Sequence, residues 1–571
     1  MRKSWSKILA GALCFALAAC NNDDIATVND GDVENGVYMR FRLELPQTTR
    51  SVTDTEEGKD DYGTSNGGIE IGTDNENKVT KGVLVVLTTP DRKFIASSYI
   101  SGSDGTEGVD ANTYTMGLSE TALRGQAGKD VLIYAFCNPT DDLIEKANKF
   151  NSGELLTVGN ATYKLSNGEN MEICTGGRFL MSNAVLLTNT LPESFALYKT
   201  KESAYPLGTV KVERAVARFD YKQGPSDSEN GDRATATYNV LKNSEGKTMV
   251  QVQLTEAALL NMSNEFYYLR RTCKRDGSGN ADYTKFDLCG LETTDNYVVD
   301  YDFDDKISYT GSEDLTGNFF YNLGKFTDNG WISGQFGNNS EWKWVKLTEI
   351  TSKVENDGDN WQNAPSDIEK TGYRIWRYVT ENTIPSPGRQ MNGISTGIVF
   401  KGHIIATDDN PDVKAAMAQG EPLYMYNNSL YTRSMFAGLS ENTAVKNAYN
   451  AVMAAAAGGT PTDKMWTDHG FTIYTLNRAN NEYEVLYYYW NRHNNNNGMP
   501  AEMGIMEFAV VRNNVYKLCV DKISLLGHPT DPGKDPDPVD PGDPDESSDV
   551  YFKVSVQVLP WVVRVNNITF D

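Results

Sequence analysis

Histidine and positive charge are what this chain has least of. Its 571 residues include four histidines, His403, His469, His493 and His528, with no HExxH pattern and no close pair. That argues against metalloprotease and zinc hydrolase chemistry. Lys and Arg number 53 against 77 Asp and Glu, for a net charge of -24. Nucleic acid and anionic lipid would be repelled, so neither is expected as a partner. There is no G-x-S-x-G elbow, no Walker A loop and no CxxC pair, and no cofactor or metal is expected. The acidic clusters Asp302, Asp304 and Asp305, and Asp408, Asp409 and Asp412, lack calcium-loop spacing and read as turn residues. Among the 77 acids nothing singles out a carboxylate pair for glycoside cleavage, and no enzyme activity is expected. Past residue 20 no segment is apolar enough to cross a membrane.

What is present points to β structure. The chain has 49 glycines, 30 tyrosines and Asn-rich turns, with 39% hydrophobic residues, enough for a core. Its length exceeds one core and calls for at least two domains. Arg2, Lys3 and Lys7 followed by the apolar run Ile8 to Ala19 form a targeting segment over 1–20. It ends Leu17-Ala18-Ala19-Cys20, a lipobox-like sequence that marks Cys20 for lipidation; the alternative is an ordinary secretory signal with an incidental cysteine. Seven cysteines occur. Without Cys14 and Cys20 an odd five remain, with Cys273 and Cys289 the best candidates for a pair; equally, all five are small buried hydrophobes.

Along the chain, residues 21–50 form a leader holding one strand, and 51–205 a first β-domain. Val83 to Leu87 and Val131 to Phe136 are continuous apolar runs, as in strands buried on both faces, with Phe94-Ile95 beside the first. A short helix is predicted from Asp141 to Phe150. The boundary is placed near Pro206, with Val210 to Phe219 opening a second β-domain over 206–527. Within it Ile398 to Phe400, Tyr487 to Trp490 and Phe508 to Val511 read as strands. Ser440 to Ala457 reads as a helix capped by Ser440 or Thr443 and stopped at Gly458-Gly459. Residues 528–549, dense in Pro and Asp, read as an extended tether reaching about 60 Å.

Two segments look like the same strand written twice. Val37, Met39, Phe41, Leu43 and Leu45 alternate with Tyr38, Arg40, Arg42 and Glu44. In 550–571, Phe552, Val554, Val556 and Val558 alternate with Lys553, Ser555 and Gln557, and after Pro560 the residues Trp561, Val563 and Val565 read as a second strand that extends the grip. Arg50, followed by Ser51, is a basic cleavage point just after the first copy, in a polar stretch open to proteolysis. The pattern predicts that the first strand is removed and replaced by the second strand of a neighbour. Burying four such side chains is worth about 6–12 kcal/mol gross. A head-to-tail contact of this kind does not close and so propagates a filament.

The chain resembles the fimbrillins of Bacteroidota type V pili, most closely the shaft subunit of the short fimbriae. The resemblance is carried by the lipobox at Cys20, the strand and LPQ-x-x-R before Ser51, Phe179-Leu180-Met181-Ser182, and Val212-Glu213-Arg214-Ala215. It continues through Tyr378-Val379-Thr380-Glu381-Asn382-Thr383, Arg512-Asn513-Asn514-Val515-Tyr516, the Asp/Pro segment and Val558-Leu559-Pro560-Trp561. Residues 225–370 match no motif of that family. The resemblance implies a mainly β protein with two β-sandwich (transthyretin-like) domains in tandem plus a C-terminal donor-strand extension. It implies export as an outer-membrane lipoprotein with a transient lipid anchor, and cutting after Arg50 by an Arg-specific protease. Assembly into a head-to-tail homopolymer would follow, with accessory tip and anchor subunits, adhering to host or bacterial surface ligands. Two other readings stand beside it: a surface carbohydrate-binding lipoprotein that never polymerises, and a secreted glycosidase.

Overall fold

A computed structural model describes residues 35–44, 70–71, 74–102, 112–150, 161–169, 171–174, 178–225, 227–276, 281–290, 296–302, 316–327, 330–332, 342–352, 373–384, 386–493, 503–546 and 552–562. The protein is mainly β. Its first part supplies β1 (Gly36–Glu44), β2 (Gly82–Thr88), β3 (Phe94–Ser101), β4 (Thr113–Ser119), β5 (Asp130–Cys137), β6 (Met181–Asn183), β7 (Leu187–Thr190) and β8 (Tyr205–Arg214). They form one sheet in the order β3-β2-β5-β6-β8-β1-β4, with β7 paired to β5. The predicted pairing of Phe94-Ile95 with the first apolar run is the β2–β3 hairpin.

The continuous apolar runs follow from burial on both faces. Val83, Val85 and Leu87 of β2, with Val131, Ile133 and Ala135 of β5, point into a core made entirely by this sheet and its loops. Their neighbours Leu84, Val86, Leu132, Tyr134 and Phe136 point the other way, into a larger core shared with the rest of the chain. A side-chain period of two with both faces covered leaves no place for polar residues.

The second part supplies β9 (Val216–Lys222), β10 (Thr237–Lys242), β11 (Thr248–Leu260), β12 (Arg374–Thr380), β13 (Gly397–Ala406), β14 (Glu484–Trp490), β15 (Asn514–Ile523), β16 (His528–Pro529) and β17 (Phe552–Val562). One sheet runs β17-β15-β9-β12, with Glu70–Ile71 at its outer edge; another runs β10-β11-β13-β14-β16 beyond Gly231–Asp232. The two face each other across the large core: Tyr221 of β9 packs on Phe400 of β13, and the Tyr238 hydroxyl donates to the Val520 carbonyl at 3.0 Å. A small lobe between β13 and β14 has its own aromatic core around Phe436, Trp466 and Phe471.

The helices obey their end signals. α1 (Asp141–Ala147) is capped by Thr140, whose hydroxyl accepts from Leu143 N at 3.2 Å. α2 (Leu347–Thr351), α3 (Pro411–Ala418) and α5 (Asp463–Thr467) are short. α4 (Ala444–Ala455) is the predicted Ala-rich helix; Thr443 caps it, and the chain leaves through Ala457 and Gly458 at φ 46° and 87°.

Three expectations change. The stretch Val210 to Phe219 is not one strand. β8 ends at Arg214 in the first sheet, and β9 begins at Val216 in the next, so the chain changes sheets at Ala215 and not at Pro206. Phe508 to Val511 is buried but is not a strand. Its pairing is limited to a single β-bridge between Val510 and Asn382, while Phe508 N donates to Gln390 Oε1 and Val511 N to the Tyr516 hydroxyl. Cys273 and Cys289 are not bonded, and all five described cysteines are free and buried. Cys273 sits opposite Phe286 while Cys289 bonds to the Arg270 carbonyl. That offset of three residues puts them about 10 Å apart along the ladder, beyond disulfide reach.

Around Ala215 the crossing is lined with buried charge. Arg218 forks onto Asp220 at 2.9 and 2.8 Å and reaches both oxygens of Glu76 at 3.1 Å. Tyr378 donates to Glu76 at 2.7 Å. Arg214 donates to the Glu76 carbonyl at 3.1 Å and to Asn513 Oδ1 at 3.2 Å, and also bonds Asn77. Arg512 lies on Glu381 at 3.0 and 2.8 Å, and Arg270 on Glu213 at 3.0 Å. Arg218→Met leaves two carboxylates buried without their cation. It is expected to lower stability by about 3–5 kcal/mol in urea unfolding, more than any exposed ion pair such as Lys464–Asp468.

Candidate functional site

The removable strand predicted from the sequence is β1, and it lies inside the sheet, not at its edge. It runs parallel to β8 and antiparallel to β4. Val37, Met39, Phe41 and Leu43 are 0–5% exposed and point into the first sheet's own core. They face Leu118, Met116 and Tyr114 across the β4 register, and the rings of Phe41 and Tyr114 stack at 5.8 Å. Arg40 and Arg42 point outward and are exposed, as the alternation requires. Tyr38 departs from it: the strand's amide there donates to the Tyr198 carbonyl at 2.8 Å, and the side chain is buried. On the β8 side a bulge brings Phe41 opposite Gly208, whose φ of 101° is a conformation that favours glycine.

β4 pairs with no strand of its sheet other than β1. Withdrawing β1 would therefore open two facing edges, one on β8 and one on β4, above an apolar trough. Leu45, Arg50, Ser51 and Cys20 lie outside the described residues, as do Val563 and Val565.

The second copy of the strand pattern is β17. It runs antiparallel to β15, from Phe552 opposite Ile523 to Pro560 opposite Asn514, and among the described residues its other edge is paired only at Trp561 and Val562, with Glu70–Ile71. The strand passes straight through Pro560, so the two strands expected on either side of that residue are one. Phe552, Val554, Val556, Val558 and Trp561 all fall on this backbone, which in the single chain completes the chain's own sheet.

The Pro/Asp segment is not the extended tether its composition predicts. It is a strap bound to the domain from His528 to Glu546. β16 pairs with β14, and His528 Nδ1 meets Asp535 Oδ2 at 2.7 Å. Lys534 donates to Thr475 at 2.9 Å. Further on, Gly393 N donates to the Pro541 carbonyl at 2.7 Å and Asn392 N to the Asp543 carbonyl at 3.0 Å. Asp545 N donates to the Gln390 carbonyl, its carboxylate accepts from Ser395, and Arg492 holds Glu546 at 3.1 Å. Each proline of the strap lacks an N–H and offers the domain only a carbonyl, which the Gly393 amide meets at Pro541, while Asp545 uses its own N–H on the Gln390 carbonyl.

Arg492 also lies against Glu507, so one guanidinium serves two acids beside the buried Asp545. Burial pushes the Asp545 carboxyl well above the usual carboxylate range and Glu507 up to about 7, against the pull of Arg492. Among the described residues no three His, Cys, Asp or Glu gather to hold a metal ion, and no helix is long and apolar enough to cross a membrane. Sequence reasoning missed the strap and the charged crossing. The signal for the crossing was present: Glu213-Arg214, Tyr378 to Thr383 and Arg512-Asn513 were singled out as motifs, and all three meet there.

Residues 481–567 match the family described as major fimbrial subunit protein type IV, fimbrillin, C-terminal. The match takes in β14, β15, the strap and β17. Among solved structures the chain is similar to a fimbrilin (FimA) from Porphyromonas gingivalis W83, at 12% identity and a TM-score of 0.34, over 93% of this chain and 99% of that one. It is also similar to the tip fimbrial protein Mfa3 from Porphyromonas gingivalis with C-terminal truncation, at 10% identity and a TM-score of 0.34, over 92% and 100% of the two chains. No curated protein sequence matches it.

The raised carboxyls make strap docking pH-dependent. Docking favours the protonated form of Asp545, so its contribution is present below about pH 4 and is lost as pH rises through the raised docked value. Hydrogen exchange at the Asp545 amide, corrected for intrinsic rate, is expected to speed up as pH rises above about 4. Asp545→Asn should flatten that dependence; an unchanged slope in the variant would show that another group sets it.

Proposed function

We propose that this chain, a fimbrial subunit by the fimbrillin pattern of its residues 481–567, builds a cell-surface fimbria by exchanging β1 for β17 of a neighbouring copy. The observation that carries the reading is the seat of β1. A strand from the N-terminal end of the chain fills the middle of a sheet, with four core side chains on one face and arginines on the other.

The energetics of that seat support gating by proteolysis. The four buried side chains are worth about 6–12 kcal/mol gross, on the scale of a whole domain's net stability of about 5–15 kcal/mol. While β1 stays in place, no second strand can compete for the trough. Once the chain is cut after Arg50, the trough needs a replacement of the same pattern, and Phe552, Val554, Val556 and Val558 supply one. The exchange also gains hydrogen bonding. On β15 the C-terminal strand is laddered along one edge, with, among the described residues, only Glu70–Ile71 on the other. In the β1 seat it would be laddered along both, by β8 and β4.

The strap sets the geometry of the transfer. Glu546, the strap's last described residue, lies six residues before Phe552, so chain length limits a strand leaving β15 with the strap in place to a reach of about 20 Å. That requires the neighbour's trough to come close to the point where the strap ends. Neighbouring subunits would then sit in one defined orientation instead of hanging on a long leash. In this reading Cys20 carries the transient lipid anchor to the outer membrane, and an Arg-specific protease makes the cut before Ser51. The domains are a leader over 21–50, an acceptor domain and a second β-domain with strap and donor strand. A chain with both a seat and a donor extends at both ends and forms the shaft, with accessory subunits at tip and anchor and ligands on host or bacterial surfaces.

N-terminal sequencing of assembled fibres is expected to begin at Ser51, and Arg50→Ala to leave monomers on unheated gels. Deleting 550–571 should also stop growth while leaving a folded chain. Abundant filaments from either variant would falsify strand exchange.

A further inference from the structure

The outer face of the sheet β10-β11-β13-β14-β16 carries a cleft of about 570 Å³. Its floor is set by strand register. Gln253 on β11 is opposite His403 on β13, and His403 is opposite Glu484 on β14. Their chain neighbours Leu254, Ile404 and Val485 are buried in the core, so the three polar side chains share the outward face. Three strands at their usual spacing make this row about 10 Å wide, the scale of a disaccharide. Walls rise around it from Gln223 and the 234–236 loop, from Lys346 to Thr348 at the start of α2, and from the turn at Asn480 to Glu482.

The polar groups inside are held in place by the walls. Gln253 Nε2 donates to the Thr235 carbonyl at 2.8 Å, and Gln223 Nε2 to the carbonyls of Arg233 and Ala234 at 2.6 and 2.9 Å. Gln223 thus has both amide N–H groups committed and Gln253 one of its two, and each keeps its oxygen as an acceptor. Glu484 accepts from Asn477 and Asn480 at 3.0 and 2.8 Å. Lys401 is fixed between Glu256 and the ring of Trp344, 4.3 Å from its centroid. At the centre, His403 turns its buried Nδ1 toward Glu482, 3.5 Å away, and leaves Nε2 as the ring nitrogen open to a ligand in the cleft.

The chemistry of this set selects a ligand class. Three carboxylates, Glu256, Glu482 and Glu484, outnumber Lys346 and Lys401, so a phosphate or sulfate finds no net attraction. An apolar ligand would leave the fixed amides and imidazole buried without partners. A neutral polyol meets the requirement, because each hydroxyl both donates and accepts and can pair with an amide oxygen and an imidazole nitrogen side by side. We propose that this cleft is a binding site for a neutral saccharide of one or two rings, with Gln253, His403 and Gln223 as its principal contacts. The cleft lies on the sheet that contains neither β1 nor β17, so this site stands or falls apart from strand exchange.

The purified full-length chain, with its histidines isotopically labelled, is titrated with N-acetyllactosamine, maltose and cellobiose. Heparin disaccharide and inorganic phosphate serve as anionic counter-probes. At least one neutral probe is expected to shift the His403 ring resonances. Its affinity should fall about tenfold or more in His403→Ala and in Gln253→Ala, with the thermal midpoint unchanged. Thr348→Trp, on the exposed wall, should block the cleft without touching the floor. The proposal is overturned if no neutral probe binds, if binding survives all three substitutions, or if only the anionic probes bind.

Discussion

Glu76, Arg218 and Asp220 hold this molecule in one arrangement. The trio sits where the backbone leaves the first sheet and enters the next, and it draws its members from opposite sides of that crossing. Glu76 belongs to the turn just before β2, Arg218 and Asp220 to β9, and Tyr378, which completes the Glu76 shell, to β12. Two apolar faces slide over one another at little cost. A buried guanidinium that must meet two carboxylates, one of them also held by a phenol, has one register. Arg214 adds a second tie, from β8 to Asn513 at the head of β15. The strand seat in the first sheet and the C-terminal strand on β15 are thereby fixed relative to each other within one chain. The large core, which draws on both halves, fills in behind the charges.

The first sheet is unusual in having each face committed to a different task. One face closes its own core, to which β1 contributes; the other is the floor of the contact with the second half. Substitutions on β1 therefore act on one core and leave the other intact. None of the charged residues named at the crossing lies on β1 or β17.

Much of this was legible in the sequence where one period or one cap decides the structure. The alternation of Val37 to Leu43, the unbroken runs of β2 and β5, and the Thr443 cap with its Gly458 exit each follow from local chemistry. What was not legible depends on partners far along the chain. Val210 to Phe219 reads as one strand because both halves are apolar, and only the demand of Arg214 and Arg218 for separate partners turns it at Ala215. Phe508 to Val511 has the composition of a strand, but Gln390 and Tyr516 take its amides first. The Pro/Asp segment has the composition of a free linker; what binds it is the backbone of residues 390–393, which no composition of its own could announce. In the outer cleft, Gln253, His403 and Glu484 are unremarkable in isolation and meet only through register.

The strap also decides how the molecule carries load. Taken backward from Phe552, the first described contacts with the domain are those of Glu546 and Asp545, followed by the bonds to Gln390, Asn392 and Gly393. Tension entering along the tail would meet these bonds before the edge of β14 where β16 is paired, so the docked strap would act as strain relief for that edge.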